Sequence, residues 1–328
     1  AESKAVPSHG EGSSQFQLLA ERRFAPFFWT QFLGAFNDNL FKFAFTVMVT
    51  FHASANSGMD PALVVNLIAG LFILPFLLFS ATCGQIADKY DKRSIAIFVK
   101  TLEVGIMVLA AYGFIAKNVP VLLGCTFLMG LHSTIFGPVK YAFLPQALNE
   151  RELTGGNAMV EMGTFVAILV GNLVGGVLIG LPEEGPKIAA FGCIAVALFG
   201  RGMSHFIQKA PPLVPDLVVR WNPFSETFRN LKLAAENVVV FRGLMGVSWL
   251  WFFGASFLTQ LPNFAKDVLG GSEAVASLLL VVFSIGIGIG SLLCESLSRR
   301  HVELGLVPIG AFGMTAFAVD LYFASRGF

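Results

Sequence analysis

The sequence predicts an all-α, polytopic membrane protein, and two features of its composition and one of its patterning support that prediction. Of its 328 residues 55% are hydrophobic and only 13% are charged, about half the charged fraction of an ordinary soluble domain. The mean hydropathy is +0.71. The hydrophobic residues gather into nine runs of about 20 residues, the length that an α-helix needs to cross a bilayer. The solvent of most of this chain is therefore lipid.

The nine runs fall into a group of six and a group of three, which are separated by a proline-rich linker. The predicted spans lie near 24–51, 64–83, 95–116, 119–141, 158–181, 187–207, 242–265, 274–294 and 303–323. The predicted domains are a tail over 1–23, a six-helix bundle over 24–207, a linker over 208–241 and a partial three-helix bundle over 242–328. The linker includes an amphipathic run near 224–241, and the tail has the composition of a disordered terminus.

Charge and cysteine usage exclude several classes of function. A net charge of +1 argues against nucleic acid as a partner, since phosphate binding requires a basic surplus. The four cysteines fall in apolar runs without the spacing of metal ligands. His132 lacks an acidic or cysteine neighbour at ligand spacing, so we expect a core histidine there. We expect neither a metal nor a cofactor.

The basic residues predict the orientation of the chain in the membrane. Sixteen lysines and arginines lie in the tail and in alternate connections, against four on the opposite side. Connections that are rich in lysine and arginine stay in the cytoplasm. We therefore expect the N-terminus and the linker to be cytoplasmic, in a bacterial inner membrane.

Two charged loops repeat at a constant offset along the chain. Each copy has a small residue, an acid four positions later, and a basic pair four and five positions after the acid. The first copy, GQIADKYDKR, contains Gly84, Asp88, Lys92 and Arg93. The second copy, SLLCESLSRR, contains Ser291, Glu295, Arg299 and Arg300. Internal repeats on either side of a cytoplasmic linker are typical of secondary transporters.

GQIADKYDKR resembles the loop motif of the major facilitator superfamily. Three further stretches, FLGAFNDNLFKFAF, GPVKYAFLPQAL and GNAMVEMGTFVAILVGNLVGG, look like the superfamily's lysophospholipid transporter branch. The resemblance implies that Asp88 caps a neighbouring helix and that the basic residues lock the cytoplasmic face. It also implies twelve helices, so we expect a second half that is incomplete here. Members of this branch often occur beside, or fused to, an acyltransferase or acyl-carrier-protein synthetase.

Polar residues interrupt the first apolar run near its middle. Asn37, Asp38 and Asn39 lie about halfway through the hydrocarbon core, and Lys42 follows one turn later. Ionisable residues at that depth face the bundle interior. One interpretation is an ion pair between Asp38 and Lys42, because residues four apart share a helix face. The other is a polar cavity in which the three residues bind part of a zwitterionic head group, and the resemblance also puts the acidic position on the transport pathway.

Three other polar residues are candidates for the same site. Lys140 follows Gly137–Pro138, which we expect to break the fourth helix, and it would supply a cation for a phosphodiester. The alternative for Lys140 is that it reaches the interface as a surface cation. Glu161 is expected to pair with Lys140 or Arg151, or to bind the ligand. Gln260 is a polar residue of the seventh helix.

These features predict a carrier of lysophospholipid from the outer to the cytoplasmic leaflet, working by alternating access, with membrane lipid around it and an acyltransferase as a possible partner. The predicted substrate-binding residues are Asn37, Asp38, Asn39, Lys140, Glu161 and Gln260. The alternative is a proton-coupled carrier of a small polar solute or drug. An acyltransferase activity in this chain is disfavoured, because no histidine is followed by an aspartate at the fifth position after it.

Overall fold

The computed structural model describes residues 15–51, 60–271, 273–299 and 303–327, and the regular structure in these ranges is helical throughout. Ten α-helices lie in the described part of the chain: α1 (Ala25–Phe51), α2 (Pro61–Lys89), α3 (Lys92–Ile115), α4 (Val119–Ala147), α5 (Glu150–Ile179), α6 (Gly185–Ser204), α7 (Pro223–Glu236), α8 (Val238–Asn263), α9 (Glu273–Leu297) and α10 (Leu306–Ala324). A π-helical turn over Phe264–Val268 extends α8. The all-α prediction is confirmed.

Eight of the described helices, α2 to α6 and α8 to α10, are long and apolar enough to cross a membrane. The helix α1 has 27 residues and is long enough too, but its central polar residues lower its mean hydropathy. The helix α7 has only 14 residues and is too short to span. Counting α1 with the eight, the structure agrees with the predicted number of about nine spanning helices.

Several helices extend beyond the predicted spans on one side of the molecule. The helix α2 continues to Lys89, α4 to Ala147, and α5 begins at Glu150. Hydropathy detects only the part of a helix that lies in hydrocarbon, whereas the backbone remains helical in the more polar turns outside it.

The expected break at Gly137–Pro138 is wrong. The helix α4 passes through Pro138 and Pro145 without ending. Proline removes one backbone hydrogen bond, and a membrane helix that is packed between neighbours tolerates this loss. Here α4 packs against both α2 and α3. Lys140 therefore projects from a continuous helix and not from a broken one.

The described chain divides into two compact units, one up to Thr227 and one from Phe228 onward. The first unit contains α1 to α6 and the first part of the linker. The second contains α8, which contacts α9, together with α10. The boundary lies inside α7 and within the linker that the sequence predicts. The predicted domain limits themselves stay a prediction.

The first unit is built from three closely packed helix pairs: α1 with α5, α2 with α4, and α3 with α6. Glycines on α5 permit the approach of α1. A Cβ atom at Gly171 would lie 2.5 Å from the carbonyl oxygen of Phe36, and one at Gly175 would lie 2.6 Å from that of Leu40. No other residue fits these positions without moving α1, which carries Asp38. Small residues at such contacts are characteristic of membrane helix packing.

One end of the first unit is held together by an ion pair. Arg23, just before α1, donates two hydrogen bonds of 2.7 Å to the carboxylate of Glu152 in the first turn of α5. The same carboxylate accepts from the backbone N–H of Asn149 at 2.9 Å, which caps α5. The hydrogen bonds to Glu152 raise the pKa of Arg23 above its ordinary value. The start of α1 and the α4–α5 turn therefore lie at the same end.

The linker is bonded to the loop between α2 and α3. The backbone carbonyl of Asp88 accepts from the N–H groups of Leu213 and Val214, at 2.9 Å and 3.0 Å. Lys92 Nζ donates to the carbonyl of Pro211 at 3.1 Å. Arg93 donates to the carbonyl of His205 at 2.8 Å. The linker and the α2–α3 loop therefore lie at one end of the bundle, which we call the linker end.

The α1–α5 contact yields a prediction. Replacing Gly171 by alanine should destabilise the first unit by about 1–3 kcal/mol, because the new methyl group overlaps a backbone carbonyl and forces the helices apart. The measurement is the thermal unfolding midpoint of the purified protein. The control is Gly105→Ala, since a Cβ atom at Gly105 meets nothing within 4 Å. Equal midpoints for the two variants would show that the close approach is dispensable.

Candidate functional site

A buried carboxylate, Glu103 of α3, is the centre of a polar network in the first unit. Glu103 Oε1 accepts from Asn37 Nδ2 at 2.7 Å, and Glu103 Oε2 accepts from Lys100 Nζ at 2.6 Å. His132 Nε2 of α4 lies 3.2 Å from Glu103 Oε2. All four side chains are at most 2% exposed. The carboxylate therefore joins α1, α3 and α4.

Two glycines make room for the lysine of this network. A Cβ atom at Gly34 of α1 would lie 2.5 Å from Lys100 Nζ, and one at Gly200 of α6 would lie 3.6 Å from the same atom. The lysine side chain thus passes between α1 and α6, where a Cβ atom at Gly34 would overlap it and one at Gly200 would be in van der Waals contact with it. Its charge is neutralised by Glu103, as a buried charge requires.

Asp38 joins the network through α4. Ser133 Oγ donates to Asp38 Oδ2 at 2.6 Å, and the same hydroxyl lies 3.4 Å from His132 Nδ1. Together these residues form what we call the central network: Asn37, Asp38, Lys100, Glu103, His132 and Ser133. The side-chain oxygens Asp38 Oδ1 and Asn37 Oδ1 are buried and have no hydrogen-bond partner among the described residues. Buried polar atoms are rarely left in this state, so these two are candidates for contact with a ligand.

The structure does not pair Asp38 with Lys42, although both residues lie in the described part of α1. The ammonium of Lys42 lies over the ring of Phe72, 3.8 Å from its centroid. A cation over an aromatic face is stabilised there without a carboxylate. Of the two interpretations drawn from the sequence, the direct ion pair between these residues is therefore not formed in the structure, and both interpretations of their charges stay predictions.

The third polar residue of the FNDN stretch lies on a different face of α1. Asn39 Nδ2 donates to the carbonyl of Ala35 in the same helix at 2.7 Å. Its Cβ atom is 3.2 Å from the position that a Cβ atom at Gly171 would take, so Asn39 lies on the α5 side. The structure brings Asn37 and Asp38 together and places Asn39 apart from them.

Lys140 belongs to a second polar group nearer the linker end. Its Nζ lies 3.7 Å from Glu161 Oε1 and donates to Thr164 Oγ1 at 3.0 Å. Tyr141 donates to the same Glu161 oxygen at 2.5 Å. Thr164 also donates to Gln31 Oε1 at 3.2 Å. We call this group the Lys140 cluster: Gln31, Lys140, Tyr141, Glu161 and Thr164. It supplies both a cation and an anion.

The central network and the Lys140 cluster form two polar layers of the same bundle. Gln31 and Asp38 are seven residues apart on α1, and Ser133 and Lys140 are seven apart on α4. Seven residues are about two turns, so each pair shares a helix face with a rise of about 10 Å. The two layers are therefore about 10 Å apart, which is roughly the combined length of one lysine side chain and a small polar group.

The remaining predicted site residues lie at loops or in the second unit. Gly84 and Asp88 are in the last turns of α2, while Lys92 and Arg93 begin α3 and bind the linker and the end of α6, respectively. The carboxylate that caps a helix here is that of Asp91, which accepts from Ser94 N at 2.8 Å.

The second copy of the repeated loop also lies where a helix ends. Glu295 is in the last turn of α9, and Arg299 follows its end with a φ of 50°. Arg300 lies outside the described residues. Gln260 lies on α8 in the second unit. The roles predicted for these residues stay predictions.

Lys100 and Glu103, which form the buried ion pair of the central network, were not predicted from the sequence. The signal was present, because both are ionisable residues inside the apolar run of the third helix. The rule that drew attention to Asp38 applies equally to them. His132 was expected to be a core histidine, and it is buried beside Glu103. In the described part of the chain no group of three or more His, Cys, Asp or Glu residues could hold a metal ion.

A bundle of membrane-length helices with a charged network buried at its centre defines a polytopic transporter-like protein. The family model of the Major Facilitator Superfamily matches residues 27–327. The chain belongs to this superfamily of membrane transporters, and it is a multi-pass membrane protein. The resemblance inferred from GQIADKYDKR is confirmed.

The chain is also similar to named lysophospholipid transporters. The chain is 26% identical over 283 residues to the lysophospholipid transporter LplT of Enterobacter sp. (strain 638), covering 85% of this chain and 67% of the relative. It is 27% identical over 296 residues to LplT of Klebsiella pneumoniae subsp. pneumoniae, covering 88% and 70%. LplT of Serratia proteamaculans (strain 568) is 26% identical over 271 residues, covering 80% and 62%. The resemblance to the lysophospholipid transporter branch is confirmed.

The central network yields a prediction about stability. Glu103→Gln leaves Lys100 buried without a counter-charge, so the variant should lose about 3–5 kcal/mol. Adding Lys100→Met should recover much of the loss, because the unpaired cation is then removed. Thermal unfolding of the purified variants measures both effects.

The matched control is Glu184→Gln, which breaks the exposed i,i+3 pair between Glu184 and Lys187, whose side chains are 55% and 52% exposed. An exposed pair of this kind contributes at most about 1 kcal/mol. A loss in Glu103→Gln no larger than that of the control would show that the Glu103 charge does not hold the bundle.

Proposed function

We propose that this chain carries lysophospholipids from the outer to the cytoplasmic leaflet of a bacterial inner membrane, by alternating access, for re-acylation. The observation that carries the proposal is the pair of buried, unpartnered oxygens of Asp38 and Asn37 at the centre of the six-helix unit. The names of the relatives support the choice of substrate class.

The chemistry of the substrate matches the chemistry of the two layers. A lysophospholipid has a phosphate, often an ammonium, a free hydroxyl and one acyl chain. Asp38 Oδ1 and Asn37 Oδ1 would accept hydrogen bonds from the ammonium or the hydroxyl. Lys140 would bind the phosphate after it exchanges its contact with Glu161, which is 3.7 Å long and therefore weak. In this proposal Asn39 and Glu161 line the pathway and do not anchor the head group, and a role for Gln260 stays a prediction.

Aromatic rings near the polar layers suit a path for an acyl chain. Phe27 stacks on Phe143 with a centroid separation of 4.4 Å, close to the Lys140 cluster in sequence. Trp29 and Phe43 on α1 are exposed on the bundle surface. A single acyl chain would lie against exposed aromatic residues such as Trp29 and Phe43 while the head group occupies the polar layers. The names of the relatives, which are lysophospholipid transporters, favour a lipid substrate over a small polar solute.

We propose that the α2–α3 loop at the linker end controls the change between the two access states. Its basic residues, Lys92 and Arg93, bind the carbonyls of Pro211 in the linker and of His205 at the end of α6, and a change of state would exchange these contacts. Asp88 is proposed to join this lock in another state, since its carboxylate makes no hydrogen bond or ion pair with the described residues here. An acyltransferase or acyl-carrier-protein synthetase, fused or separate, would consume the delivered substrate.

One observation favours a second candidate function, a proton-coupled carrier of a small polar solute. Glu103, His132, Ser133 and Asp38 form a continuous chain of polar contacts, along which a proton could pass. A carrier of this kind would show substrate uptake that depends on a pH gradient. Lysophospholipid uptake that does not change when the gradient is collapsed would remove this candidate.

Asp38→Ala should lower the transport of a labelled lysophospholipid about ten- to a hundred-fold, since a buried charge-assisted hydrogen bond is worth about 1.5–3 kcal/mol. Lys42→Ala should have a milder effect, because Lys42 contacts Phe72 and not the network. The measurement is uptake into proteoliposomes at matched protein content.

The double variant Asp38→Asn, Lys42→Met separates the proposal from charge neutralisation within α1. We expect it to fold and to remain inactive, because the head group still lacks its charged acceptor. Full transport in this variant would show that Asp38 serves only to neutralise Lys42, and it would end the head-group assignment.

The orientation of the chain provides a further prediction. Tyr90, which is 50% exposed in the α2–α3 loop, and Lys117 in the α3–α4 loop should lie on opposite sides of the membrane. In a background with Cys294→Ser, an impermeant thiol reagent added from the periplasm should modify Lys117→Cys and spare Tyr90→Cys. The reverse pattern would contradict a cytoplasmic linker end. Asn56, which the sequence places on the periplasmic side, lies outside the described residues.

A further inference from the structure

The short helix α7 has an apolar stripe of exposed side chains. Phe224, Phe228 and Leu231 are 67%, 73% and 44% exposed. At about 100° per residue these three side chains lie within about 60° of one another on the helix. Ala235 extends the same stripe by one turn. A 14-residue helix with such a stripe is too short to span a bilayer and is amphipathic along its whole length.

The opposite face of α7 is anchored to the six-helix unit. Glu226, which lies roughly across the helix from the stripe, is 1% exposed. It accepts from Gln85 Nε2 at 3.1 Å and lies 3.8 Å from Arg220 NH1. Gln85 also accepts from the backbone N–H of Arg220 at 2.9 Å. The start of α7 is therefore held beside the last turns of α2, a membrane-length helix.

The other end of α7 is fixed by the next membrane-length helix. Asn237 is the single residue between α7 and α8, and its side chain accepts from Val239 N at 3.0 Å, which caps α8. The apolar run of α8 begins at Val238. Since the chain passes from α7 directly into a spanning helix whose apolar run starts at its first residue, α7 ends close to the boundary between membrane and water. Both ends of α7 are thus tied to that boundary.

Basic and aromatic residues accompany the stripe. Lys232 and Arg229 are exposed, and they lie beside the stripe, toward the polar face of the helix. Trp221, just before α7, is 75% exposed. Tryptophan is enriched at the level of lipid head groups, and lysine or arginine beside an apolar stripe is typical of helices that bind anionic membrane surfaces.

We propose that α7 lies in the surface of the membrane at the linker end, with the apolar stripe in the head-group boundary and Lys232 and Arg229 on the phosphates of anionic lipids. The occupant of the stripe is the bilayer itself. The linker between the two units is then attached to the membrane as well as to the α2–α3 loop. This role does not depend on which substrate the chain carries.

The test uses environment-sensitive fluorophores on the full chain, in a Cys294→Ser background, since the other three cysteines are buried. One protein carries the probe at Phe228→Cys on the stripe, and the matched control carries it at Asn230→Cys on the polar face. In vesicles of phosphatidylcholine and phosphatidylglycerol, the probe at 228 should be quenched by a lipid-borne quencher and shielded from iodide. The probe at 230 should show the opposite pattern.

The anionic part of the proposal is tested by charge removal. Changing Lys232 and Arg229 to glutamine should lower the ratio of lipid-embedded to water-exposed probe at 228. The expected factor is about five-fold per charge, which corresponds to about 1 kcal/mol per basic residue. Vesicles of phosphatidylcholine alone should give the same shift. An unchanged probe in both experiments would overturn the role of anionic lipid.

Two other results would overturn the proposal as a whole. Quenching of the probe at 228 by iodide to the same extent as at 230 would show that the stripe faces water. Protection from both quenchers would show that protein covers it. Variants are compared only when their elution profile matches that of the parent protein, so a misfolded variant is replaced by Leu231→Cys.

Discussion

The structure of the six-helix unit depends on the pairing of charges inside a medium that cannot solvate them. Glu103 is fully buried, and it is stable there because hydrogen bonds from Asn37 and Lys100 and the proximity of His132 satisfy its oxygens. Removing any one partner would leave a buried group unsatisfied. Because these partners come from α1, α3 and α4, the requirement to pair one carboxylate fixes the mutual placement of three helices.

Asp38 is positioned by the same helices. It follows Asn37 on α1, about 100° further around the helix, and Ser133, next to His132 on α4, donates a hydrogen bond of 2.6 Å to it. The glycines Gly34 and Gly200 leave space for Lys100, and Gly171 and Gly175 set the approach of α5. A packed and paired scaffold thus holds the Asp38 carboxylate by one oxygen, which accepts from Ser133, and leaves the other oxygen available to a ligand.

Much of this arrangement could be predicted from the sequence. Hydrophobic run length predicts the spanning helices, and the polar residues at 37 and 38 mark the interior of the bundle. The partners of those residues could not be predicted, because spacing along one helix suggests Lys42 while the true contacts come from α3 and α4. The continuation of α4 through Pro138 could not be predicted either, because proline breaks an isolated helix but not one that is supported by neighbouring helices. The amphipathic run near 224–241 corresponds to α7 over Pro223–Glu236, but its last residues belong to α8, which begins at Val238.

The central claim is that Asp38 contacts the lipid head group, and equilibrium binding tests it most directly. The measurement compares the affinity of purified parent protein and Asp38→Asn for lysophosphatidylethanolamine, with thermal stability recorded for both. The account predicts that the variant keeps its stability and binds about ten-fold more weakly, since Asp38 has one oxygen without a protein partner. Equal affinity in a stable variant would contradict the account and would place the head group elsewhere in the chain.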